Sequence, residues 1–377
     1  MAERTASATV NALSPRALRR YSRHLLMPEV GLAGQERLAR SRALVIGAGG
    51  LGSPALQYLA AAGVGRIGIV DDDVVDETNL QRQTIFGSDD VGKPKAVAAA
   101  QRVAAINPFV ATDAIGVRFD ESNARALVAL YDVVIDCTDR FPTRYLVNDA
   151  CVLEGKPDVY ASIFRFDGQV SVFTGEPCYR CLYPQPPPVG SVPTCAEGGV
   201  LGVLAGIVGA WQANEALKVL LGIGDVLRGR LMLIDAFGAQ TRDVRFDRDP
   251  ECAICGEAPS LREAREIAYE DELASGVDEV DPSELDEALR EWTLLDVREP
   301  HEAVLGTIAG SLLLPASRLE ERLHELDSAQ GYVVACRVGQ KSRWAVQRLR
   351  DAGFTRVRHL RGGLLAYAAQ HEDFAFF

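Results

Sequence analysis

The chain has 377 residues, 47% of them hydrophobic, and a formal net charge of −12 at neutral pH. That length allows two cores, and the acidic balance excludes a general affinity for nucleic acid or anionic membrane. Residues 1–26 lack an apolar signal core, and the most apolar stretch, 200–214, is shorter than the roughly 20 residues a membrane span needs.

The expectation is a cytoplasmic protein whose eight cysteines serve as ligands or nucleophiles rather than disulfides. Residues 43–46 read as a short buried strand, 53–62 as a helix and 66–71 as a second strand. That is a βαβ unit, hence parallel strands with a right-handed crossover. The turn between them carries Gly47, Gly49, Gly50 and Gly52. A Gly-x-Gly-x-x-Gly at this place cradles phosphate with backbone N–H groups and a helix N-terminus. Asp71, 19 residues past Gly52, stands where a carboxylate accepts from ribose hydroxyls. So far NAD fits as well as ATP.

Asn79, Arg82 and Lys95 follow the second strand. A nicotinamide site does not need an arginine and a lysine over the phosphates, whereas phosphoryl chemistry does. A helical segment near 95–105 leads to a third buried strand, 132–136, and Asp139 beyond it is suited to hold Mg²⁺. The plainer alternative is that Arg82 and Lys95 are solvated charges and Asp139 a helix cap. The body reads as doubly wound.

Cys178 with Cys181 and Cys252 with Cys255 form two Cys-x-x-Cys pairs. Four thiolates in a closed set make a structural zinc site; a redox pair is the alternative. Cys195 lies in a proline- and glycine-rich loop, 186–199, and is a candidate nucleophile or, more simply, a small packed side chain. Cys137 and Cys151 read as core.

Composition changes after Cys255. From Glu263 to Glu287 eleven acidic residues face one basic residue, Arg265. Part of this reads as an exposed linker, with a helix over 282–290 opening the next unit. Strands at 293–298 and 332–335 follow, and from Arg337 onward eight basic residues face three acidic ones. Cys336 ends the second of these strands and opens a loop into a helix at Ser342. Loop amides, the helix N-terminus and Arg337, Lys341 and Arg343 would stabilise a thiolate or a persulfide there. The boundaries drawn are 1–258, an acidic linker 259–279, and 280–377.

Residues 20–23, 47–52, 71–86, Lys95 and 136–139 closely resemble the adenylyltransferases that activate ubiquitin-like sulfur carriers. These are the molybdopterin-synthase and thiamine sulfur-carrier activators, related to ubiquitin-activating enzymes. Residues 296–298, 336–342 and 361–363 resemble a rhodanese domain. The resemblance implies a Rossmann-like adenylation domain joined to a smaller α/β sulfurtransferase domain. It implies that Gly50, Asp71, Asn79, Arg82, Lys95 and Asp139 bind ATP-Mg²⁺, and that Arg23 reaches the triphosphate of a neighbouring protomer in a homodimer. It also implies Zn²⁺ at the four paired cysteines, a covalent link to the carrier at Cys195, and sulfur carried on Cys336. Arg140 departs from the pattern, since many relatives have asparagine there.

The implied reaction is adenylation of the C-terminal glycine of a β-grasp carrier, then sulfur transfer to give a thiocarboxylate. A cysteine desulfurase or thiosulfate would supply the sulfur. Two other readings stand beside it: a non-catalytic carrier-binding scaffold and a nicotinamide-dependent oxidoreductase.

Overall fold

The computed structural model describes residues 13–187, 198–267, 269, 277–304, 306–371 and 374. The chain divides into two compact units, the main break following Ile267. The first holds an eight-stranded sheet: β1 (Arg42–Ile46), β2 (Arg66–Val70), β3 (Ala111–Ile115), β4 (Val133–Asp136), β5 (Asp158–Phe164), β6 (Asp167–Phe173), β7 (Arg230–Asp235) and β8 (Gln240–Arg245). The order is β3-β2-β1-β4-β5-β6-β7-β8. From β3 to β5 the pairs are parallel, and from β5 to β8 they are antiparallel.

The side-chain period of two decides which residues face which layer. Ala43, Val45, Ile67, Ile69, Val133 and Ile135 enter one core with α1 (Gly52–Ala62) and α2 (Lys95–Ile106). Leu44, Ile46, Val70 and Val134 enter the other with α3 (Phe141–Glu154). The long helix α4 (Gly202–Leu221) joins the first layer through Leu204, Val208 and Ala216. Strands buried on both faces read as continuous apolar runs, so β1, β2 and β4 were visible in the sequence. β3 was not, because Ala-Thr-Asp-Ala-Ile lies at the sheet edge with no residue fully buried.

The second unit is a wholly parallel five-stranded sheet: β9 (Glu279–Val280), β10 (Thr293–Asp296), β11 (Leu312–Leu313), β12 (Tyr332–Ala335) and β13 (Val357–Leu360), in the order β11-β10-β12-β13-β9. Its flanking helices include α5 (Gln340–Asp351), which starts two residues earlier than the sequence suggested, and α6 (Gly363–Ala368).

The acidic segment is shorter as a linker than 259–279. Ala264 is buried in a core of the first unit, and Leu261 and Ile267 pack on others. Arg118 pairs with Glu266 at 3.0 Å. Glu279 and Val280 already belong to the second sheet. Among the described residues no helix is long and apolar enough to cross a membrane.

Candidate functional site

Strands β1 and β4 are neighbours, and strand order reverses between them. Loops leaving the carboxyl ends of strands at such a switch point form the crevice in which open α/β sheets bind ligands. The glycine turn leaves β1 and residues 137–139 leave β4. The two loops touch: a Cβ on Gly47 (φ +93°) would lie 2.9 Å from the Cys137 carbonyl oxygen, and one on Gly52 would lie 2.1 Å from the Gly47 oxygen. The turn can therefore close only around glycine.

Asp71 is fastened to that turn. One carboxylate oxygen accepts from the Ala48 amide at 2.8 Å and the other from the Asp73 amide at 2.9 Å. Burial pushes its pKa up, against the opposing pull of the Ala48 amide and Lys95. Gly50 admits the stem of Arg82, whose Cγ is 3.5 Å from where a Cβ would sit. The Arg82 guanidinium donates to the Thr78 carbonyl at 3.4 Å, and Asn79 donates to the Thr78 hydroxyl at 3.2 Å. Lys95 is buried, with its ammonium 2.8 Å from the exposed Asp73 carboxylate. Asp139 is exposed just beyond β4, beside an exposed Arg140.

Sequence reading assigned no role to Gln83. Its side chain is buried, its Nε2 lies 3.6 Å from a Cβ position on Gly49, and its Oε1 lacks a hydrogen-bond partner among the described residues. A buried polar atom without a partner beside the glycine turn suits a polar ligand. With Asp71, Arg82 and Lys95, it makes a set whose donors and acceptors suit a nucleoside triphosphate.

Asp136, beneath the crevice, is held by the amide and hydroxyl of Thr138 at 2.9 and 2.6 Å. Burial raises its pKa, while Arg144 opposes that rise. Arg23 lies exposed on the short helix Ser22–Leu25. Neighbouring Tyr21 is buried and accepts from Asn107 at 2.8 Å.

The four paired cysteines converge from opposite ends of the first unit's C-terminal half. Their sulfurs are 3.6 Å apart for Cys178 and Cys252, 3.5 Å for Cys178 and Cys255, 3.3 Å for Cys181 and Cys255, and 3.9 Å for Cys178 and Cys181. None is a disulfide. Sulfurs bound tetrahedrally at ~2.3 Å from a zinc ion stand about 3.8 Å apart, so this donor set fits that ion. Burial and mutual repulsion push the Cys178 thiol up, and burial pushes Cys255 up to about 12; a dication offsets both costs. The knuckle is braced on α3, where Arg180 makes two 2.7 Å bonds to buried Asp149. The Tyr179 amide donates to Asn148 at 2.8 Å.

In the second unit Cys336 lies at the carboxyl end of the central strand β12, buried, with its sulfur accepting the Gly339 amide at 3.1 Å. Gly363 (φ +67°) backs the loop so closely that a Cβ would stand 2.5 Å from the Cys336 carbonyl oxygen. Several of the surrounding cations are paired with carboxylates. Lys341 pairs with Glu302 at 3.0 Å and Arg343 with Glu279 at 3.0 Å, and Arg361 pairs with Asp281. Arg298 is fully buried against Asp296 at 2.6 Å. Burial and the charge of Arg298 lower the pKa of Arg337. Cys195 lies outside the described residues.

Comparison with known proteins agrees with this division. Residues 21–254 match the ThiF family and residues 281–370 match the rhodanese-like domain. The chain is 45% identical over 373 residues to a probable adenylyltransferase/sulfurtransferase MoeZ of Mycobacterium tuberculosis, covering 96% of this chain and 95% of the relative. It is 54% identical over 253 residues to a sulfur carrier protein adenylyltransferase of Thermus thermophilus, covering 65% of this chain and 93% of that protein. Adenylyltransferase and sulfurtransferase MOCS3 of Arabidopsis thaliana is 39% identical, covering 97% of this chain and 86% of its own length. Among solved structures, E. coli MccB with ATP shares the fold with a TM-score of 0.55 at 21% identity, over 63% of this chain and 74% of MccB. The chain belongs to the ThiF family, in the form that carries a C-terminal rhodanese-like domain.

Proposed function

We propose that this protein, an adenylyltransferase and sulfurtransferase, uses ATP to activate the C-terminal glycine of a ubiquitin-like sulfur carrier and then delivers sulfur from Cys336. The observation that carries this reading is the presence on one chain of two devices. One is a glycine turn at a switch point with Asp71, Arg82, Gln83 and Lys95 around it; the other is a cysteine whose sulfur receives a loop amide. Relatives matched over nearly the whole chain are named for both activities, adenylyltransferase and sulfurtransferase. We assign adenylation to residues 1–258, sulfur transfer to 280–377, and a tether to the acidic stretch between.

The carrier's glycine carboxylate attacks the α-phosphorus of ATP, the bond to the bridging oxygen breaks, and pyrophosphate leaves. The Gly47–Gly52 amides orient the phosphates, Asp71 holds the ribose, and Asn79, Arg82 and Lys95 neutralise charge developing on phosphoryl oxygen. Lys95 exchanges Asp73 for phosphate in doing so. Arg23 of a second protomer completes the site in a homodimer. Asp139 would hold Mg²⁺, which supplies Lewis-acid stabilisation of the leaving pyrophosphate. Cys178, Cys181, Cys252 and Cys255 would hold Zn²⁺ as a closed structural site.

The Cys336 thiolate attacks the outer sulfur of thiosulfate, breaking its S–S bond and releasing sulfite, or that of a cysteine desulfurase persulfide, releasing the desulfurase thiolate, and so becomes a persulfide. The persulfide anion attacks the acyl carbon of the adenylate and AMP departs, leaving an acyl disulfide. The Cys195 thiolate attacks the Cys336 sulfur, the S–S bond breaks, and the carrier leaves as thiocarboxylate. An external dithiol then reduces the Cys195–Cys336 disulfide. The free thiols and the external dithiol that this reaction needs support a cytoplasmic location, where thiols stay reduced.

The test is intact-mass spectrometry of candidate carriers after incubation with the protein, ATP, Mg²⁺ and thiosulfate. One sulfur-for-oxygen exchange on a carrier supports the whole reading. An adenylate without sulfur removes the Cys336 half. No change, together with no ATP–pyrophosphate exchange, favours a non-catalytic scaffold.

A further inference from the structure

Beneath the sulfur-bearing loop lies a histidine with no part in the steps above. His359 is fully buried on β13, the strand paired with β12, which ends one residue before Cys336. Its Nδ1 is 2.9 Å from the hydroxyl of Ser342 in the first turn of α5. That hydroxyl donates to the Gly339 carbonyl at 3.1 Å, and the Gly339 amide donates to the Cys336 sulfur at 3.1 Å. A hydroxyl has one proton. Given to Gly339, it leaves the Ser342 oxygen to accept from a ring protonated at Nδ1; given to the ring, it leaves the Gly339 carbonyl to the Arg343 amide at 3.3 Å. We take the first arrangement, in which Nε2, buried and without a hydrogen-bond partner among the described residues, carries no proton. The ring edge also lies against the turn, with Cε1 3.1 Å and Nε2 3.4 Å from where a Cβ on Gly339 would sit. Gly339 has φ +97°, a conformation that favours glycine.

We propose that His359 is a positioning residue for sulfur transfer: as a neutral Nδ1–H donor it clamps Ser342 and so aims the Gly339 amide at the Cys336 sulfur. The inference rests on the reading of Cys336 as the sulfur carrier. An amide held on sulfur favours the thiolate and the persulfide anion over their protonated forms. The charged groups facing the ring are Arg343 of α5 and Glu279 of β9, the latter 3.9 Å from Nε2, and these two pair with each other at 3.0 Å. Burial, with Arg343 adding to it, lowers the imidazole to about 4, so the ring keeps its donor role through the neutral range. A purely space-filling ring would fill the same volume without the relay.

The test uses the full chain and the variants His359→Asn, His359→Leu and Ser342→Ala. Asparagine sets an amide N–H where Nδ1–H stood; the other two break the relay. Alkylation of Cys336 is followed across pH by peptide mass spectrometry, with thermal melts beside it. His359→Leu and Ser342→Ala should each slow alkylation about tenfold near neutral pH and converge on wild type in alkali. The double variant should lose no more than either single one, and His359→Asn should restore the wild-type profile. Profiles that superimpose on wild type in folded His359→Leu and Ser342→Ala proteins overturn the proposal, as does a His359→Asn profile matching that of His359→Leu. If His359→Leu does not fold, Ser342→Ala, which leaves the ring in place, decides the matter. Failure of wild-type protein to form a persulfide on Cys336 removes the carrier reading instead, whatever the alkylation series gives.

Discussion

A methyl group at Gly52 would collide with the Gly47 carbonyl at 2.1 Å, and no flexible side chain can yield there. Gly52→Ala should therefore open the phosphate turn and weaken ATP binding by tenfold or more, on the order of 1.4 kcal/mol or above, as read by calorimetric titration. Cys336→Ala should behave in the opposite way. ATP–pyrophosphate exchange should continue at the wild-type rate while thiocarboxylate formation disappears; loss of both activities would refute the separation of roles. At this scale the sequence spoke clearly wherever chemistry demands one residue type, as at Gly47, Gly52, Asp71 and the four paired cysteines. It was silent on Gln83, because a glutamine acquires meaning only when its oxygen is found buried without a partner. It did not show the partners of Lys341 and Arg343, since Glu302 and Glu279 are distant in sequence and reach them only through the fold.

Strand β13 places a titratable group in the middle of a parallel sheet. The unfolded chain binds a proton at His359 near pH 6.5 and the folded chain only near pH 4. Between those values protonation favours the unfolded state, so stability falls as pH drops through that window, by roughly 3 kcal/mol in all. Acid melts of wild type and His359→Asn should diverge below about pH 6.5, with the variant losing less; parallel curves would contradict the buried neutral ring. Apolar runs made β1, β2, β4, β10 and β12 readable in advance. The edge strand β3 was unreadable because half-exposed strands need no apolar run. The antiparallel extension β6 to β8 ends in a strand exposed at every position, which leaves no burial pattern to read.

For the molecule as a whole, the two-part division was legible from the change in charge after Cys255, but the extent of the intervening segment was not. Leu261, Ala264 and Ile267 are the reason: three apolar residues spaced three apart in an acidic stretch give too weak a signal for docking. Metal removal by a thiol-competing chelator should release zinc, measurable by elemental analysis, and lower the melting temperature of the first unit by several degrees. The cysteine cluster has a second consequence, one of length. Cys252 and Cys255 fasten the segment that ends at Ile267, with Leu261 donating back to the Ala253 carbonyl at 2.8 Å. While that fastening holds, the leash to the sulfurtransferase unit begins only after Ile267. Opening the cluster would leave that segment held by Ala264, Ile267 and the Arg118–Glu266 pair, and wherever those give way the leash lengthens and the concentration at which one unit meets the other falls. An ion at this cluster would thereby bear on how often sulfur finds the adenylate, and chelation should slow thiocarboxylate formation more than it slows pyrophosphate exchange.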